Sequence, residues 1–299
     1  MPFVLRRATV TVEGSHGEND LELAQAHAQI AAPRRGTIAW DDFDPAAYTP
    51  EILAAAADAW RARVGQEYHS LALFTQISSQ IHLLGAPLDW AGAFARMIGD
   101  EVRHTELCAR MAELLGPGTP VEIEPSRLHL PVIAGSLQAH VRAAIVTTFC
   151  IGETLSGRMF RRCLRAATVP LARDIVRTIC DDETFHGRFG WEAAAILMRD
   201  DAVDFLHERT ALARQLPEIF SHYRDACGAA RGRAWAHGEP EIEGPPNFGT
   251  LTHAGYAAAF FDGMEEDVVP ALVAIGFPEA EAAWATLAGD ATSPVGSSK

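Results

Sequence analysis

From Thr49 onward the chain alternates between long Ala- and Leu-rich stretches and short clusters of Gly and Pro, and this punctuation predicts a succession of helices. Thr49-Pro50-Glu51 supplies an N-cap, a proline at the first helical position and an acid in the first turn. The helix it opens meets no Gly-Pro break until Gly85-Ala86-Pro87. A second helix is expected from Asp89, as N-cap, to Gly116-Pro117-Gly118. Residues 119–131 are interrupted by Pro120, Pro125 and Pro131 and read as a long crossover. A third helix covers about 133–167, and Thr168-Val169-Pro170 separates it from a fourth that reaches about Met198. Further helical stretches follow at about 202–227, 252–275 and 278–287, with a Gly/Pro-rich linker at 238–249. The first 45 or so residues differ: 3–12 alternates loosely as a strand does, 13–17 reads as a turn, and 293–299 reads as a loose tail.

The expected fold is therefore all-α. An N-terminal extended arm occupies 1–48, four long helices in two hairpins joined by one long crossover occupy 49–200, and a C-terminal helical extension covering them occupies 201–299.

Composition narrows the function classes. Hydrophobic content of 48% with 21% charged residues is that of an ordinary globular protein. A formal net charge of −14 argues against nucleic acid as partner and against anionic membrane surfaces, because both are bound through Lys and Arg. No apolar run approaches the roughly 20 residues of a membrane-spanning helix. The N-terminus lacks the basic-then-apolar pattern of a secretory signal. Five cysteines with no C-x-x-C fit a reducing cytoplasm and leave no rubredoxin-like iron site.

Two segments carry the candidate chemistry: Asp100-Glu101-Val102-Arg103-His104 in the second helix and Asp182-Glu183-Thr184-Phe185-His186 in the fourth. Residues three apart share a helix face, so each Glu-x-x-His aims a carboxylate and an imidazole at one point. The tetrapeptide alone is weak evidence, and a third copy, Glu13 to His16 in a Gly-rich stretch, reads as accidental. Spacing strengthens the case. Glu67 lies 34 residues before Glu101 and Glu153 lies 30 before Glu183, so the midpoints fall at Gly85 and at Thr168-Val169, inside the two hairpin turns. Folding each hairpin at its own punctuation brings its lone carboxylate level with its Glu-x-x-His. Glu153 is moreover the only acid in an otherwise apolar stretch, where a carboxylate is costly unless it meets a cation. Three or four hard carboxylates with two imidazoles, and no thiolate required, suit Fe or Mn better than Cu or Zn.

With these residues in place the chain resembles the ferritin-like diiron carboxylate proteins, whose duplicated pattern of Glu followed about thirty residues later by Asp-Glu-x-x-His is present in both copies over residues 50–200. The resemblance implies a ferritin-like four-helix bundle with two Fe ions, or a Mn/Fe pair. Their ligands would be Glu67, Glu101, His104, Glu153, Glu183 and His186, with Glu101 and Glu183 bridging. Asp100 and Asp182 would orient the histidines from behind. It also implies dioxygen as co-substrate, electrons from an external donor, and a small-molecule substrate, in a chain that can form a homodimer.

Departures select within that group. Ribonucleotide reductase small subunits have a radical Tyr four residues after the first motif's His, where this chain has Cys108; the aminobenzoate N-oxygenases have an extra His where it has Ile179. Storage ferritins lack the hundred residues that follow the fourth helix here. The resulting expectation is a cytoplasmic, dioxygen-activating oxygenase or oxidase acting on a small organic molecule. Its apolar pocket is expected at Phe74, Phe149, Cys150, Gly157, Phe160 and Cys180. The alternative is an iron-handling protein with ferroxidase or peroxide chemistry and no organic substrate. A tRNA hydroxylase of similar fold is weakened by the acidic charge.

Overall fold

The computed structural model describes residues 10–12, 21–118, 120–130, 135–198 and 203–290, and it is all-helical apart from one short strand pair. The elements in order are β1 (Val10–Val12), α1 (Leu21–Ala31), α2 (Pro50–Leu83), α3 (Leu88–Leu115), β2 (Val121–Ile123) and α4 (Leu137–Ala144). A π-helical segment (Ile145–Glu153) continues α4 into α5 (Thr154–Ala166), followed by α6 (Pro170–Leu197), α7 (Val203–Ala226), α8 (Arg233–Gly238) and α9 (His253–Gly263). A second π-helical segment (Met264–Val268) joins α9 to α10 (Val269–Ala274), and α11 (Glu279–Asp290) closes the order. Among the described residues, no helix is long and apolar enough to cross a membrane.

Local chemistry sets most boundaries. Thr49 caps α2 by accepting from the Ile52 amide, Ser136 caps α4 by accepting from the Ala139 amide at 3.0 Å, and Pro170 opens α6. Gly85, at φ +78°, turns the chain between α2 and α3. Asp89 is not the N-cap of α3: Pro87 holds that position and Asp89 lies in the first turn, where its charge still favours the helix start. The third helix begins at Leu137, later than expected, with 131–134 outside the described residues.

The N-terminal arm departs from the expectation of an extended segment, because residues 21–31 form α1. Leu, Glu, Ala and Gln there are strong helix formers, and the neighbouring glycines masked that signal. Only Val10–Val12 of the expected strand is described, and it pairs antiparallel with β2, Val10 opposite Ile123. The turn at 13–17, with Glu13 and His16, and the tail at 293–299 lie outside the described residues.

The chain forms two compact units that interleave along the sequence, Met1–Val132 with Pro170–Asp182 and Ile133–Val169 with Glu183–Lys299. Neither coincides with the segments 1–48, 49–200 or 201–299, and helix α6 runs through both, passing from one to the other between Asp182 and Glu183. In the first unit α2 and α3 bury Trp60, Phe74, Phe94, Met97 and Met111 completely. In the second, Phe220, Phe260, Phe261 and Trp284 form an edge-on aromatic cluster, with centroids 5.8 Å apart for Phe260 and Trp284. Burying a side chain of this kind contributes about 1.5–3 kcal/mol.

Within the second unit the π-helical segment is tied down at both faces. A π turn shifts backbone carbonyls out of α-helical register, and the Tyr223 hydroxyl donates to one of them, the Thr147 carbonyl, at 2.7 Å. On the other face Gly190 of α6 touches the backbone of Phe149 so closely that an added Cβ would lie 2.7 Å from its carbonyl carbon. Backbone cannot yield as a flexible side chain does. Gly190→Ala is therefore expected to lower unfolding stability by about 1–3 kcal/mol, read from a denaturant midpoint. A cost below a few tenths would show that the two segments are free to separate.

Candidate metal centre

Each of the six sequence-derived donors is at most 5% exposed: Glu67 on α2, Glu101 and His104 on α3, Glu153 at the end of the first π-helical segment, and Glu183 and His186 on α6. In the first unit His104 Nδ1 lies 3.4 Å from Glu67 Oε2 and 3.7 Å from Glu101 Oε1. The second unit repeats the arrangement, with His186 Nδ1 3.4 Å from Glu153 Oε2 and 3.8 Å from Glu183 Oε2. The donors assemble into two overlapping groups that can hold metal ions: Glu67, Glu101, His104 and Glu183, and Glu101, Glu153, Glu183 and His186. Within each group one ligand atom per residue lies within 4.8 Å of the others, and Glu101 and Glu183 are common to both.

The aspartates preceding each motif glutamate meet histidine and arginine partners. Asp182 Oδ2 lies 3.4 Å from His104 Nε2, the ring nitrogen opposite the one that faces the carboxylates. This is the position from which a partner fixes the ring of a metal-binding histidine. Asp100, fully buried, accepts from Arg103 Nη1 at 2.7 Å and from Arg34 Nε at 2.9 Å. Arg103 Nη1 also donates to Asp182 Oδ2 at 2.9 Å, and its Nε donates to the Ala32 carbonyl at 2.7 Å. The N-terminal arm thus reaches the outer layer of the centre through Arg34 and Ala32.

Burial alone would lower the pKa of His104, but hydrogen bonds to Asp182 and Glu67 and the charge of Glu101 overcome it and push it up to about 10. Burial would raise Asp182, yet His104 and Arg103 hold it below the usual carboxylate range. Metal binding at His104 would displace that proton.

The donor set fits a pair of divalent cations on charge. Four carboxylates can carry at most four negative charges, which two divalent ions would offset in full. Hard oxygen donors with one imidazole in each group suit Fe or Mn.

Beside Glu153 and Glu183 the second unit opens a cleft of about 580 Å³, whose walls include Gly157, Arg161, Trp191, Pro270 and Ala271. Of the six residues expected to shape a pocket, Gly157 is in this lining; Phe74, Phe149, Cys150, Phe160 and Cys180 are buried elsewhere. Phe149 packs edge-on against Phe189 at 5.5 Å, and burial pushes the Cys150 thiol up, so both act as packing residues. Sequence reasoning missed Arg34, Arg103, Arg161 and Tyr223. Only Arg103 had a readable signal, since it lies three residues after Asp100 on the same helix face.

Comparison of the chain with protein-family models, with curated proteins and with solved structures finds no match.

Proposed function

We propose that the chain is a ferritin-like four-helix-bundle enzyme that uses a diiron or Mn/Fe centre to activate dioxygen and oxidise a small organic molecule. The observation that carries this reading is the meeting of the buried donor set with an open cleft: Glu153 and Glu183 belong to the one and line the other. The iron-handling alternative needs no organic-sized space, whereas about 580 Å³ falls in the usual range for small-molecule sites. Bound by the six donors, such a metal pair would supply the reductive activation of dioxygen, with electrons from an external donor.

The chain's own residues do the rest. Glu101 and Glu183, common to both groups, would be shared by the two ions, and Asp182 at Nε2 leaves the His104 Nδ1 to face the carboxylates. Burial of all six donors excludes bulk water from one side, while the cleft admits substrate on the other. Gly157, by lacking a Cβ, leaves the space that Arg161 Nη1 approaches at the rim of that cleft.

The test is dioxygen uptake by protein loaded anaerobically with Fe(II), followed by an oxygen electrode and by stopped-flow absorption. Uptake is expected at least about tenfold faster than for the same Fe(II) in buffer, and Glu153→Ala should abolish the excess. Uptake no faster than that of free iron would remove the oxidative reading.

A further inference from the structure

Helix α5 presents Arg158, Arg161 and Arg162 within little more than one turn, and their surroundings differ sharply. Arg158 is held by Asp267 at 2.6 Å and by Glu266, and Arg162 by Asp262. Arg161 makes no ion pair or hydrogen bond among the described residues. Its guanidinium turns back along the helix instead, with Nη1 3.3 Å from the point that a methyl group on Gly157 would occupy, and Glu183 Cβ lies 3.8 Å from the same point. Because Gly157 has no side chain, the Arg161 guanidinium can lie against the helix at the cleft, close to the Cβ of the metal-site Glu183.

The other charged groups of the cleft are Arg188, Glu266, Asp267 and the metal-site pair Glu153 and Glu183. Arg188 is occupied by Glu192 at 2.7 Å. Glu266 and Asp267 are both engaged by Arg158, and Glu266 is 63% exposed, so solvent screens what charge it has left. Trp191 is fixed by donation from its indole N–H to Thr154 Oγ1 at 2.9 Å, and with Pro270 and Ala271 it offers an apolar wall. Both π-helical segments border this cleft, the first through Glu153 and the second through Glu266 and Asp267. Such segments are rare and concentrate at functional sites.

We propose that this cleft binds a small organic carboxylate, its carboxylate gripped by Arg161 and its carbon body laid against Trp191, Pro270 and Ala271. A guanidinium presents two parallel N–H groups that match a carboxylate, which a neutral amide of the same shape cannot equal. This names the substrate class of the proposed enzyme and rests on that reading for its chemical use; Arg161 grips the carboxylate directly, and cations held by Glu153 and Glu183 would add to that attraction.

The experiment measures binding of benzoate and hexanoate against benzamide and hexanamide by calorimetry, on metal-free protein so that a carboxylate cannot ligate iron. At least one acid is expected to bind about tenfold or more tightly than its amide, as charge-assisted pairing provides. Arg161→Gln should bring that ratio close to one without shifting the melting temperature, because Arg161 is exposed, and Arg161→Lys should restore part of it. A ratio near one in the wild type, a preference that survives Arg161→Gln, or no acid binding at millimolar concentration would overturn the proposal. Metal content measured in parallel separates the two readings. A carboxylate preference in a chain that takes up no metal leaves this inference standing and removes the enzyme. Metal uptake without the preference does the reverse.

Discussion

Glu101→Ala and Glu183→Ala are each expected to strip both metal ions from the chain, whereas Glu67→Ala leaves about one bound. The asymmetry follows from the overlap of the two donor groups. Glu101 and Glu183 serve both, so losing either leaves three donors in each group; Glu67 serves one, so its loss leaves the other four-donor group intact. Metal per chain after anaerobic loading and gel filtration reads the difference directly. Stability should follow the same order, because a ligand that binds only the folded state at a hundred times its Kd stabilises by about 2.7 kcal/mol. Addition of Mn(II) should therefore raise the melting temperature of the wild type and leave that of Glu101→Ala unmoved. Equal metal content in the Glu67 and Glu101 variants would show that the groups do not share ligands.

Arg103→Met is expected to be the most destabilising single change outside the donors. Arg103 is 4% exposed and its Nη1 serves both Asp100 and Asp182, themselves buried. Removing one side of a buried ion pair costs about 3–5 kcal/mol, and the lower end applies here because Arg34 stays beside both aspartates and Arg96 beside Asp100. For a chain of this size that corresponds to a fall in melting temperature of roughly 10 °C, measured on metal-free protein. Adding Asp182→Asn to Arg103→Met should recover part of the loss by removing one stranded carboxylate. A cost under about 1 kcal/mol, with no recovery in the double variant, would mean that solvent reaches this layer and that Arg103 does not organise it.

The clustering of these six residues was legible in the sequence because two short-range rules place them. Residues three apart share a helix face, and a hairpin folded at its Gly or Pro punctuation sets the level of one helix against the next. The helix starts at Thr49-Pro50 and Pro170 were legible for a similar reason, since capping acts within one turn. Features that depend on distant partners were not. Residues 145–153 have no local signature of a π-helical segment; the hydroxyl that satisfies Thr147 comes from Tyr223, 76 residues away. Helix α1 was hidden because its neighbours are glycine-rich and what anchors this arm, the bond from Arg103 to the Ala32 carbonyl, is long-range. Phe149 and Cys150 are fully buried and do not line the cleft beside Glu153 and Glu183, since apolar residues beside a ligand serve core packing as readily as a cavity. The cleft lies instead where Gly157 lacks a side chain, a difference that only the packing of α5 against its surroundings reveals.

The central claim is that six side chains converge on two metal ions, and anomalous diffraction at the iron edge from crystals of Fe(II)-loaded protein tests it most directly. Two anomalous peaks about 3.5–4 Å apart, each within bonding distance of both Glu101 and Glu183 and of one histidine, are the expected result. A single peak at some other place, or none in protein saturated with iron, would contradict it.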